Sequence, residues 1–177
     1  EMLDGRVYTA EALTEAIGAP VLAELPADGT KSKVDQSAVQ NGIGTLMSNI
    51  AFASESMEKP IQTLVVSGVG ENDGKSRMVA LLGMAIAKAG KRVLLVECDL
   101  RRPALRQALH LQKGRGYLGY LQGEYALDRA VPPAETENLF LLDAEADVKD
   151  PEEILSSQAF KAMYDALLQS YDVVIFD

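Results

Sequence analysis

The sequence predicts an α/β fold on a mostly parallel sheet, and three observations predict it. Short apolar runs rich in β-branched residues alternate with stretches of helical period. The runs are near-continuous rather than alternating, as expected of strands covered on both faces. Strand, helix and strand also follow one another within roughly 35 residues, the length of a right-handed crossover unit.

Taken in chain order, Thr9 can cap a helix reaching Ile17, with Glu11 in its first turn and Gly18 as its stop. Pro20 to Pro26 (PVLAELP) is an extended apolar segment bounded by prolines, predicted as an edge strand. The polar stretch ADGTKSKVD at 27–35 reads as a flexible linker. Val39, Ile43, Leu46 and Ile50 recur at helical spacing and predict a helix over 37–53, although Gly42 and Gly44 each cost about 1 kcal/mol relative to alanine. Residues 1–60 are therefore expected to form an N-terminal linker and helices, and 61–177 a separate domain.

That domain opens with a strand at Leu64–Val66, a Gly-rich loop, and an apolar helix closed by Gly90, with Lys88 and Lys91 at its negative end. Arg92–Cys98 is a second strand, containing the single cysteine as a small core residue. A less regular helical stretch follows, with turns at Gly114, Gly116 and Gly123, and then a third strand at Asn138–Leu142. Asp150 as N-cap, Pro151 as first helical residue and Glu152 and Glu153 behind it start another helix. The last helix, Gln158–Ser170, carries Phe160, Met163, Ala166 and Leu167 on one face, and Tyr171–Asp177 is a fourth strand. The chain starts at Glu1 without methionine and stops at the end of an apolar run, so both edges read as cuts and a fragment is expected. An open sheet ending at Asp177 would expose an apolar edge for further residues or a partner to cover.

Composition bounds the function. At 177 residues with 47% apolar and 24% charged side chains, the chain can bury one sizeable core. A net charge of −9 argues against a nucleic-acid surface, which needs basic groups for phosphates. One cysteine, Cys98, excludes a disulfide framework and a multi-thiolate zinc site, and fits a cytoplasmic compartment. No apolar run approaches the roughly 20 residues of a membrane span.

The chemistry concentrates at the first loop. Gly74-Lys75-Ser76 ends it where a helix begins, nearly matching G-x-x-x-x-G-K-[ST], with Val69 at the first glycine position and Gly68 and Gly70 on either side. Loop amides and the positive end of the helix form a cradle for an anion; Lys75 would add a full charge on the phosphates and Ser76 a magnesium ligand. A helix start with an exposed lysine is the plain alternative. Asp99 follows the second strand and Asp177 ends the fourth, at the strand ends where ligands gather in parallel sheets. With Ser76 as direct ligand, Asp99 and Asp177 would hold magnesium or its waters, while an N-cap role for Asp99 and a polar strand end at Asp177 stay open. Glu97, on the same strand face as Asp99, is either a general base or a partner of Lys75 before nucleotide binds. Arg101 and Arg102 would clamp phosphate or a neighbouring chain, or form a solvated pair.

GENDGKS, LLVECDLRRP, DPEEILSSQAFKAMYDALLQSYDVVIFD and, upstream, GAPVLAELP together resemble the bacterial tyrosine kinases, cytoplasmic domains or partners of the membrane proteins that set polysaccharide chain length. The resemblance implies a three-layer α/β/α sandwich of the P-loop type, truncated at its C-terminus, and an ATP- and Mg2+-dependent tyrosine (auto)kinase at the cytoplasmic face of the inner membrane. It implies nucleotide binding at Gly70, Glu71, Asn72, Asp73, Gly74, Lys75, Ser76 and Arg77, catalysis by Lys75, Glu97, Asp99 and Asp177, and metal at Ser76, Asp99 and Asp177. The family's D-x-D-x-R falls on Glu97, Asp99 and Arg101. Its E-x-x-R-x-x-R falls on Asn41, Gly44 and Met47, so a homo-oligomer held by those charges would be weakened. A non-catalytic module docking to a chain-length protein is the second expectation, and a MinD- or ParA-like ATPase the third, ranked last because Gly70 stands where those carry a loop lysine. The tyrosines Tyr117, Tyr120 and Tyr125 are expected to pack rather than accept phosphate.

Overall fold

The structure, a computed structural model, describes residues 9–26, 33–70, 73–112, 114–144, 148 and 150–177, without the side chains of 33–35. The chain divides into two units, Glu1–Glu58 and Lys59–Asp177.

In the first unit, helix α1 (Ala10–Ile17) starts as predicted. Thr9 Oγ1 accepts the Ala12 N–H at 3.2 Å, and Gly18, at φ +67°, donates to Thr14 O. Helix α2 (Lys33–Glu55) is longer at both ends than the predicted 37–53, and it takes in the last residues of the predicted linker; the others, 27–32, lie outside the described residues. The predicted edge strand at 20–26 does not form. This segment lies along α2 instead, where Asn49 Nδ2 donates to Leu22 O at 2.6 Å. Close approach explains Gly42, because a Cβ there would stand 2.7 Å from Glu24 O. No described helix is long and apolar enough to cross a membrane.

The second unit runs β1 (Thr63–Val65), α3 (Lys75–Lys88), β2 (Val93–Val96), α4 (Leu105–Ala108), α5 (Tyr117–Leu121), α6 (Leu127–Ala130), β3 (Leu139–Leu142), α7 (Pro151–Ser156), α8 (Gln158–Ser170) and β4 (Val173–Phe176). β1 keeps its predicted length but starts one residue earlier, the other strands are one to three residues shorter than predicted, and Cys98 lies just past β2 rather than inside it. The pairings among these four strands are parallel, in the order β1-β4-β2-β3. β2 is fully buried, as its unbroken apolar run requires.

Side chains alternate across the sheet and so create two cores. Leu94, Val96, Leu142, Val174 and Phe176 pack with Met163 and Leu167 of α8 and with Tyr117. On the other face α3 approaches so closely that a Cβ on Gly83 would stand 2.7 Å from Leu95 Cδ2 and 3.3 Å from Leu139 Cδ1. The result is a three-layer α/β/α sandwich. Tyr117 is fully buried edge-on to Phe160 with centroids 5.8 Å apart, Tyr125 donates to Gly116 O at 2.6 Å, and Tyr120 is partly buried against the core.

Candidate functional site

The register of the sheet builds the site. Val65 pairs with Phe176, Phe176 with Val96, and Val96 with Leu142, so the residues that follow, Asp177, Glu97 and Asp143, stand in a row across three strand ends. These are the buried charged residues of the described chain. By alternation they share a face with Leu95 and Ile175, the face on which α3 begins. Three buried carboxylates side by side require three separate means of compensation.

Asp177 is met by Lys75, whose Nζ lies 2.6 Å from Oδ1, with no exposure of the aspartate side chain. It is an ion pair without hydrogen-bond alignment, and Oδ2 has no hydrogen-bond partner among the described residues. Lys75 reaches it because β1 and β4 are neighbours and the loop after β1 ends at Gly74, whose φ of +88° only glycine adopts readily. The partner of Lys75 is thus Asp177 and not Glu97, the pairing that sequence left open.

Glu97 is compensated by amides. Its Oε1 accepts the Asp99 N–H at 3.0 Å, and its Oε2 accepts those of Ala104 and Leu105 at 2.7 and 2.9 Å. Burial nevertheless pushes its carboxyl up to about 7, and the nearby Asp177 charge adds to the rise. Asp143 is held by Arg106 Nε, which also places Nη1 on Gln112 O. Neither Arg106 nor Asp143 was singled out in the sequence, although Leu142-Asp143 repeats the acid-after-strand signal that marked Asp99 and Asp177.

Asp99 folds back on its own segment, Oδ1 accepting the N–H groups of Arg101 and Arg102 at 3.2 and 2.9 Å, as an N-cap does. It lines both grooves of the site. The smaller, about 340 Å³, is bounded by Gly70, Asp73, Gly74, Lys75, Ser76, Arg77, Asp99 and Arg102. The larger, about 840 Å³, adds Asp177 and an apolar wall of Val65, Val66, Leu155, Phe160 and Phe176. The predicted set thus meets at two adjoining grooves, with Glu97 behind them and with Glu71 and Asn72 outside the described residues. Val69 keeps negative φ and points fully into solvent, leaving the cradle clear. Burial pushes the Cys98 thiol up to about 12, away from the thiolate form.

The groups expected to hold a metal offer oxygen only: the Ser76 hydroxyl, the Asp99 carboxylate and the unpartnered Oδ2 of Asp177. This set suits a hard divalent cation that keeps several waters and shares phosphate oxygens. No three His, Cys, Asp or Glu side chains among the described residues form a metal cluster by themselves.

No family model matches the chain. It is 31% identical over 133 residues to the tyrosine-protein kinase YwqD of Bacillus subtilis, covering 75% of this chain and 55% of that one. Its fold matches the chimerical protein CapA2B2 with a TM-score of 0.82 at 28% identity, over 96% of this chain and 74% of that one. The kinase domain of the Escherichia coli tyrosine kinase ETK shares the fold with a TM-score of 0.82 at 21% identity, over 97% and 73%. The chain thus spans little more than half of the Bacillus kinase, while its described fold lies almost wholly within those two solved domains. By sequence and fold together, the chain is similar to bacterial tyrosine kinases.

Proposed function

We propose that the chain is the nucleotide-binding part of a protein-tyrosine kinase, which moves the γ-phosphoryl group of ATP to a tyrosine hydroxyl. The observation that carries this reading is the junction of loop and helix, where Lys75 is aimed along the strand ends at a buried carboxylate with one oxygen to spare. Phosphoryl transfer needs little from a protein beyond positioning and charge neutralisation. Lys75 would leave Asp177 for the phosphates, the amides about Gly74 would hold their oxygens, and Arg101 and Arg102 would stand over the outer groove. Mg2+, held by Ser76, Asp99 and Asp177, would neutralise charge building between the phosphates.

Glu97 takes a different part from the base that its motif position implies. Both its oxygens are committed to amides, so it would fix the 98–105 segment and with it Asp99 and the two arginines. The same observation favours a second reading, in which the chain binds nucleotide without transferring phosphate and acts by docking to a membrane chain-length protein. In either reading the setting would be the cytoplasmic face of the membrane, and phosphate added to tyrosine would adjust assembly through its charge.

Titration with labelled ATP and Mg2+, for the unmutated chain and for Lys75→Ala, tests the reading. Binding lost with Lys75, followed by label on tyrosine, is expected. Binding without label would leave the docking module, and no binding by the unmutated chain would refute the nucleotide site.

A further inference from the structure

Asp73 is a charged group of the loop for which phosphoryl transfer has no use. Its Oδ1 accepts the Lys75 N–H at 3.1 Å, and its Oδ2 lies 3.5 Å from the Gly70 nitrogen, so one carboxylate joins the loop's beginning to the helix's first residue. The same Oδ2 rests on Gly68, where an added Cβ would stand only 2.0 Å away. A cap of α3 needs only the first of these contacts. Amides converging from both sides of a glycine-rich loop are the means by which such loops surround a phosphate, and here the anion at their focus belongs to the chain. The Lys75 amide holds this carboxyl below the usual carboxylate range, so it stays charged at neutral pH.

We propose that Asp73 is an internal occupant of the phosphate cradle, an affinity-setting residue that an incoming nucleoside polyphosphate displaces. The proposal rests on the nucleotide-binding reading above and adds a competitor to it. A single weak anion cannot displace a tethered carboxylate, whereas a polyphosphate carrying Mg2+ brings further contacts to Lys75 and the grooves. The cradle therefore discriminates by ligand charge.

The test compares the unmutated chain with Asp73→Asn, which keeps shape and capping ability, and Asp73→Ala. Binding of Mg-ATP and of inorganic pyrophosphate is measured by calorimetry, with Lys75→Ala as the control for the site. Removing the competing charge is expected to tighten binding of both ligands to Asp73→Asn by about tenfold, with pyrophosphate gaining more than Mg-ATP. In the free protein, the Gly70 and Lys75 amide resonances are expected to shift in Asp73→Ala. Unchanged or weaker binding by Asp73→Asn, with the unmutated chain binding normally, overturns the proposal and leaves the nucleotide site standing. Absence of binding in every chain overturns both.

Discussion

Replacing Glu97 by Gln isolates the pH dependence that burial creates. The side chain is fully buried, and its carboxyl is raised from 4.5 to about 7, chiefly by desolvation. A raised acid binds more protons folded than unfolded in this window. Its contribution to stability is therefore complete below the unfolded value and is lost as pH climbs through the folded one. A difference of about 2.5 units corresponds to about 3 kcal/mol, most of it lost between about pH 5 and pH 8. Glutamine is uncharged throughout, and its amide opposes part of the Asp99, Ala104 and Leu105 amide set, at a cost of about 1–3 kcal/mol that does not vary with pH. Urea unfolding of both chains at several pH values gives the difference curve. The unmutated chain should lose about 2–3 kcal/mol relative to Glu97→Gln from about pH 5 to pH 8. A difference independent of pH would refute the account, because it would mean that the three amides outweigh desolvation and that Glu97 is ionised throughout.

Lys75→Met leaves Asp177 buried without its cation and should destabilise the chain by about 3 kcal/mol, while adding Asp177→Asn should recover most of that loss. Additive effects in that urea-unfolding cycle would mean that the 2.6 Å pair is not coupled. Gly83→Ala should lower stability by about 1–3 kcal/mol, since Leu95 and Leu139, both fully buried, cannot easily clear the new methyl group. A thermal midpoint equal to that of the unmutated chain would show that α3 can move off the sheet.

Much of this architecture could be read from residue order alone, for identifiable reasons. Strands such as VLLV leave no polar face, and helix ends at Thr9, Gly18, Gly90 and Pro151 carry their stop and start chemistry locally. Where a residue's role depends on a distant partner, the reading failed. Pro20–Pro26 has strand composition, but no ladder accepts it and α2 does, through the gap at Gly42. Glu97 could be read only by its face, as a base or a partner of Lys75, whereas the amides it accepts lie two residues on at Asp99 and, past a proline, at Ala104 and Leu105. Asp143 carried the right signal but no motif to draw notice. Lys75 and Asp177 were both named, yet their pairing follows from β4 lying between β1 and β2, which no local pattern encodes.

That interleaved strand order ties the Lys75–Asp177 pair to the whole sheet. β4 follows β1, β2 and β3 in the chain yet lies between β1 and β2, so the Lys75–Asp177 pair closes only when β4 takes its place. Lys75 faces no buried acid before that moment, and the nearest neighbours in the finished sheet are among the most remote in synthesis. Any cut that removes β4 therefore takes Asp177 and a central strand of the sheet together and leaves Lys75 without its buried partner.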